Sequence, residues 1–138
     1  MTECVFCDIV ARRAPATIVY ETDAVLAFLD IKPITRGHTL VVPKVHSSGL
    51  ASLDPGVGGQ VFAAGQVLAA AMRRSTLAAD GVNLAMNDGR AAFQTVFHTH
   101  LHLVPRHHGD RIRFVAGMLT RRQSEPEATA RAIRDALS

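Results

Sequence analysis

Three histidines alternate with uncharged residues in Phe97-His98-Thr99-His100-Leu101-His102-Leu103-Val104-Pro105-Arg106. Imidazole, with an ordinary pKa of about 6.5, can serve near neutral pH as nucleophile, acid–base group or metal ligand. Alternation at period 2 among apolar and β-branched neighbours is the pattern of a β-strand, on which residues i, i+2 and i+4 share a face. His98, His100 and His102 would then point the same way, about 6.5–7 Å apart. Three rings in a row are costly to bury without partners, because each has a donor and an acceptor to satisfy. An exposed polar strand face is the plainer alternative, and some clustering is expected among seven histidines. Strict alternation on an otherwise apolar strand makes it the weaker one.

Cys4-Val5-Phe6-Cys7 is the second chemically suggestive spacing. CxxC can be half a zinc site, a redox pair or two small buried residues. No thioredoxin-like βαβ pattern surrounds it, so the redox reading loses ground. Zinc needs two more ligands, and the chain has histidines to offer.

The 138 residues suit one domain, 1–138, with enough chain to bury a real core; hydrophobic content of 48% and charged content of 20% are those of a globular protein. The net charge of +3 is mildly basic, with arginines gathered from Arg106 onward; a solvated surface accounts for most of them. With no Trp and one Tyr, base-stacking platforms are scarce, which argues against nucleic acid as a partner. Met1-Thr2-Glu3-Cys4 is no signal peptide, and no apolar run nears the roughly 20 residues that span a bilayer. The expected setting is cytoplasmic, without membrane contact, and there two cysteines are metal ligands or free thiols rather than a disulfide.

The elements that must position these groups can be read in order. Ile9 and Val10 begin a short N-terminal helix. Ala16–Tyr20 and Ala24–Leu29 are strands joined by the polar turn Glu21-Thr22-Asp23, and His38–Val42 is a third, stopped by Pro43. Asp54-Pro55 starts a long helix, with Asp at the N-cap and Pro at the first helical position; Val57, Val61, Ala64, Leu68, Met72 and Ser75 form its inner stripe. Val82–Met86 is a fourth strand, and the histidine strand a fifth. Ser124-Glu125-Pro126-Glu127 has the form of a capping box, with Ser124 at the N-cap of a C-terminal helix running through Leu137. In that helix Ala132, Ile133 and Ala136 should face inward, Arg131 and Arg134 outward.

His98-Thr99-His100-Leu101-His102-Leu103-Val104 resembles the His-x-His-x-His-apolar-apolar signature of the histidine-triad (HIT) family of nucleotide hydrolases and transferases. Phe28–Pro33, Gly37–His46 and Asn87-Asp88-Gly89 through Gln94-Thr95 resemble the family's other blocks, in the same order. The resemblance covers about residues 4–108 and leaves 109–138 as a tail. It implies an α+β fold: about five antiparallel strands under one long helix, with short N- and C-terminal helices, forming a homodimer through the long helix and an edge strand.

The same resemblance implies a nucleoside 5′-phosphate over the histidine strand, purine nucleoside phosphates being the expected class. His100 would attack the α-phosphorus and form a nucleotidyl-histidine that water hydrolyses, releasing a nucleoside monophosphate from a phosphoramidate or dinucleoside polyphosphate. Its second nitrogen would donate to a backbone carbonyl. His102, Gln94 and Thr95 would donate to phosphate oxygens, His38 would complete the cluster beside His100, Asp30 would take the ribose hydroxyls, Ile31 would pack on the base and Asn87 would hold the phosphate side. His107 and His108 match no functional position and read as surface residues.

Cys4, Cys7, His46 and His98 fall where zinc-bearing members hold one structural Zn²⁺ in a closed Cys₂His₂ set. The tail from Arg111 to Ser138 matches no branch of the family, so the leaving group is open. Competing readings are a nucleotidyltransferase, a non-catalytic nucleotide- or zinc-binding interaction module, and a metalloenzyme using all three triad histidines. The last leaves Cys4, Cys7 and His46 unexplained.

Overall fold

The two runs read as a hairpin pair as expected. β1 (Ile18–Glu21) and β2 (Val25–Leu29) are antiparallel, with Thr22 Oγ1 accepting from the Ala24 and Val25 amides in the turn. The computed structural model describes residues 4–137 of the chain; Met1–Glu3 of the polar N-terminus lie outside the described residues. Around the hairpin stand α1 (Val5–Val10), β3 (Thr39–Pro43), α2 (Pro55–Arg74), β4 (Gly81–Met86), β5 (Leu101–Arg106), α3 (Arg111–Thr120) and α4 (Pro126–Asp135). The strands form one antiparallel sheet in the order β1-β2-β3-β5-β4, so the last strand made slots between its two predecessors. The fold is α+β.

Both faces of the sheet are covered, which is why every residue of β2 and β3 is buried. Alternation sorts the side chains. Val25, Ala27, Leu29, Val41, Leu101 and Leu103 pack under α2 and α4, while Leu26, Phe28, Leu40 and Val42 pack with Phe6 and Ile9 of α1. Full burial of each such large aliphatic or aromatic side chain contributes about 1.5–3 kcal/mol. His102 lies between Leu101 and Leu103, so its side chain belongs to the α1 face.

α2 begins as the sequence predicts, the Asp54 carboxylate accepting from the Val57 amide at 3.2 Å. Val61, Ala64, Leu68 and Met72 are its buried stripe, joined by Gly65 and Ala71. A Cβ on Gly65 would stand 2.9 Å from Leu101 Cδ2, so the missing side chain lets α2 lie close on β5. Phe62 and Val67 are exposed on opposite flanks of that stripe, and Leu84 of the edge strand β4 is half-exposed. No helix among the described residues is long and apolar enough to cross a membrane.

The structure corrects four expectations. The histidine strand begins only at Leu101, so His98 and His100 precede it. Continuing the β3–β5 register would bring Thr99 opposite Pro43, which has no N–H to offer a ladder; instead the Thr99 amide donates to the Ser47 carbonyl at 2.6 Å. The tail contains an additional helix, α3, with no fully buried residue. The capping box does not form: Pro126 takes the first helical position and Glu125, in the left-handed region, becomes the N-cap without a side-chain bond. Thr129, Ala130 and Ile133 are the inner face of α4, and Ala132 and Ala136 are half-buried. Finally, His107 is half-buried, with Nε2 donating to the Leu77 carbonyl at 2.8 Å, whereas His108 is exposed.

Candidate functional site

Two clusters of side chains lie on the α1 face. In the first, Cys4 Sγ is 3.4 Å from His98 Nδ1, Cys7 Sγ is 3.3 Å from His46 Nδ1 and 3.5 Å from His98 Nδ1, and the two Nδ1 atoms are 3.2 Å apart. Ligands bound about 2.0–2.3 Å from a tetrahedral zinc stand about 3.3–3.8 Å from one another. The donor set therefore fits a four-coordinate, closed metal site.

The tautomer agrees. His98 Nε2 is 2.8 Å from the Pro43 carbonyl, which can only accept, so Nε2 carries the proton and Nδ1 turns its lone pair to the cluster. Burial, the largest influence, holds the His98 pKa down. Partial burial and then the Cys4 thiol push the Cys7 thiol up to about 11, so a cation must displace protons when it binds. Cys4 Sγ also accepts from the Cys7 amide at 3.3 Å and caps α1, tying the helix start to the cluster.

In the second cluster His100 Nδ1 lies 2.7 Å from the His98 carbonyl. The proton is therefore on Nδ1, and Nε2 presents a free lone pair. Burial depresses the pKa and keeps the ring neutral, partly opposed by the His98 carbonyl and by Asp30. The Phe6 ring stands edge-on to His98 and His100, with centroids 5.9 and 5.1 Å away, so α1 contacts both clusters through one side chain.

His38 packs against His102, with Nε2 3.0 Å from His102 Nδ1, and His102 in turn meets His100, so His38 joins the cluster through His102. It is fully buried at the head of β3. Its Nδ1 accepts from the Ile34 amide at 3.0 Å, so its proton is on Nε2 and is donated to His102 Nδ1. His102 must then carry its own proton on Nε2, directed away from His38. Burial first, then the neighbouring His102 and Arg121, hold His38 at about 3; burial, then His100 and Arg121, hold His102 at about 4. Both rings are neutral at pH 7. His100 and His102 meet edge to face with centroids 4.9 Å apart, one offering a lone pair and the other an N–H.

Asp30 ends β2. Its Oδ1 accepts from the Lys32 amide at 2.8 Å, and its Oδ2 is 3.6 Å from both His38 Nε2 and Arg121 Nη2. Burial raises its pKa, opposed first by the Lys32 amide and then by Arg121. Asp30, His38 and His102 thus form one hydrogen-bonded and electrostatic unit beside His100.

The other sequence candidates stand apart from it. Gln94 is buried and clamps its own loop: Oε1 accepts from the Gly89 amide, while Nε2 donates to the Ser48 and Val96 carbonyls, so both amide protons are engaged. Thr95 is exposed on a groove shared with Cys4, Asp8, His46 and Phe97, on the metal-cluster side. Asn87 follows β4 half-buried, and Ile31 is 70% exposed on the loop after Asp30. Sequence reasoning missed Phe6, the Pro43 carbonyl, Ser47 and Arg121. Phe6 and Pro43 had signals, namely an aromatic inside CxxC and a proline beside a histidine block. Arg121 had none.

The HIT domain family model matches residues 11–109. An uncharacterised HIT-like protein of Mycobacterium tuberculosis is 50% identical over 135 residues, 98% of this chain and 93% of that protein. A protein of Arabidopsis thaliana named adenylylsulfatase HINT3 is 37% identical over 108 residues, 78% of this chain and 54% of that one. Among solved structures, a Zn-bound histidine triad family protein from Mycobacterium smegmatis superposes with a TM-score of 0.90 at 51% identity, over 97% of this chain and 92% of that chain.

Proposed function

The chain belongs to the HIT domain family, and on that footing we propose that it is a hydrolase acting at the α-phosphate of nucleoside phosphoramidates or dinucleoside polyphosphates. The observation that carries this reading is the pairing of opposite tautomers: His100 with a bare Nε2, locked by the His98 carbonyl, and His102 with a protonated Nε2, locked by His38.

The Nε2 lone pair of His100 forms a bond to the α-phosphorus while the bond to the leaving group breaks; a polyphosphate departs with the electron pair as an anion. His102 donates its Nε2–H to an oxygen that gains charge in this step. Phosphoryl chemistry is mainly positioning and charge stabilisation, so a fixed donor beside a fixed nucleophile is what it needs. Water then attacks the phosphorus and releases a proton to solvent, the P–N bond breaks, and His100 recovers its lone pair as the nucleoside monophosphate leaves. Asp30 takes the ribose hydroxyls, with Ile31 against the base and Asn87 on the phosphate side. Gln94 acts by holding the loop, given its engaged amide.

The metal cluster supports a structural role for Zn²⁺ on Cys4, Cys7, His46 and His98, which when bound fixes the N-terminus to the segment bearing His100. The relative named adenylylsulfatase is consistent with chemistry at an adenylyl α-phosphate. The exposed Phe62, one turn before the Gly65 that lies against Leu84 of edge strand β4, supports a homodimer through α2 and that edge. A cytoplasmic location accords with two free thiols.

The test is to trap the intermediate. Acid-free denaturant quench during turnover of an α-labelled substrate should leave acid-labile, base-stable label on the protein. His100→Ala should abolish both label and turnover while AMP still binds; losing a nucleophile typically costs several orders of magnitude in rate. Near wild-type turnover by His100→Ala would refute the mechanism. A wild type that binds nucleotide but never labels or turns over would favour a binding module.

A further inference from the structure

Residues 111–137 lie beyond the segment that matches the family, yet they grip the loop after Asp30 at successive points. Gly117 of α3 sits on the Ile34 carbonyl so closely that a Cβ there would overlap its oxygen. Arg121, which ends α3 in the left-handed region at φ 48, turns back and donates from Nε to the Lys32 carbonyl at 2.6 Å. Gln123 Nε2 reaches the Asp30 carbonyl at 3.4 Å.

That turn leaves the Arg121 guanidinium facing the catalytic cluster. Nη2 is 3.6 Å from Asp30 Oδ2, and neither terminal amino group makes a hydrogen bond within the described residues. The side chain of Asp30 is only 13% exposed. Facing it are Lys32 from its own loop, His38 from the start of β3, His100 and His102 from the β5 side, and Arg121 from the tail. His38 donates to His102, both rings being neutral, and Lys32 is exposed. Arg121 is thus the permanent cation anchored against this carboxylate. A guanidinium fixed through Nε is a directional partner, unlike a freely moving ammonium.

The geometry points to Arg121 as a positioning residue that keeps the Asp30 carboxylate charged and aimed at the ribose hydroxyls, so that the tail beyond the family segment completes the nucleoside site and sets a preference for ribonucleotides. This rests on the nucleotide-hydrolase reading. A charged carboxylate can accept from both the 2′ and 3′ hydroxyls, whereas a protonated one must turn one oxygen into a donor.

The experiment compares an adenosine 5′-phosphoramidate with its 2′,3′-dideoxy counterpart, using the full chain and the variants Arg121→Gln, Arg121→Lys, Asp30→Asn and the Arg121→Gln/Asp30→Asn double. On the ribose substrate Arg121→Gln should raise KM about tenfold, the scale of one charge-assisted hydrogen bond, leave kcat within about twofold, and move the acid limb of kcat/KM to higher pH. Arg121→Lys, which keeps the charge but lacks the Nε anchor on the Lys32 carbonyl, should recover only part of the loss. On the dideoxy substrate wild type and Arg121→Gln should coincide, and in the Asp30→Asn background Arg121→Gln should add nothing. Equal losses on both substrates, a loss in kcat alone or an unmoved acid limb would overturn the inference. A wild type that neither binds AMP by calorimetry nor turns over either substrate would remove the nucleotide reading itself, and this inference with it. Binding and turnover by wild type with an indifferent Arg121→Gln would remove this inference only.

Discussion

His38 donates to His102 across 3.0 Å, and the bond runs in one direction because the Ile34 amide already occupies the other His38 nitrogen. A main-chain N–H thereby determines, through two imidazoles, which nitrogen of His102 carries its proton. His38→Phe keeps the ring volume in a fully buried position but breaks this relay. It should lower kcat about 10–100-fold, in the range of a misdirected acid–base group, and cost about 1–3 kcal/mol of stability for the unpartnered Ile34 amide. Steady-state kinetics and thermal melting read both. Unchanged kcat would show that the His102 tautomer is not set here.

Acidification should destabilise the protein in a defined window. His38 and His102 are held at about 3 and about 4 in the folded state, against about 6.5 when unfolded. Between those values the unfolded chain binds more protons, so stability rises with pH across the window and is lost as pH falls from about 6.5 toward 4. Above pH 7 these two groups contribute no slope. Melting temperature followed from pH 7.5 to 4.5 should fall steadily, with a shallower fall in His38→Phe. Identical slopes in the two proteins would exclude His38 as a source.

The metal ligands should not be equivalent. Metal analysis should find one zinc per chain, and alanine at Cys4 or Cys7 should remove it and lower the melting temperature. Cys4 also caps α1, accepting from the Cys7 amide, so Cys4→Ala should cost about 1 kcal/mol more than Cys7→Ala once both lack metal. Cys4→Ser, which retains a capping oxygen, should recover that difference without recovering zinc. Zinc-free wild-type protein of undiminished stability would speak against the site.

Phe62, 53% exposed on α2, offers a test of self-association. Phe62→Glu should turn a dimer into a monomer at micromolar concentration, as measured by sedimentation or light scattering, because an isologous contact places each substituted charge at the same interface in both copies. A wild type that is already monomeric would contradict the dimer.

Much of this was legible because it depends on local rules. Short apolar runs bounded by the polar turn Glu21-Thr22-Asp23 and by Pro43 located β2 and β3, and Asp54-Pro55 marked the start of α2. The resemblance placed Cys4, Cys7, His46 and His98 together although they come from distant positions. Alternation failed at His98 and His100 because a ladder needs a partner strand, and the partner there is Pro43. The Ser124 cap failed because Pro126 claimed the first helical turn for itself. α3 escaped notice because it buries no side chain fully and so has no clean apolar face. Arg121 escaped because its role depends on a left-handed turn and on a loop 89 positions earlier. Gln94 was placed on the phosphate, yet its two amide protons close a loop, a choice only the folded backbone determines.

The order of the strands has a consequence for how the chain is born. Cys4 leaves the ribosome 94 positions ahead of His98, and β5 must still insert between β3 and β4. α1 has six residues, too few to hold a helix unaided. At the usual pace of synthesis the two thiols wait roughly 5–20 seconds for their last partner. This segment is therefore made well before the residue that completes its cluster, and its nascent thiols are open to oxidants and to the wrong metal throughout that interval.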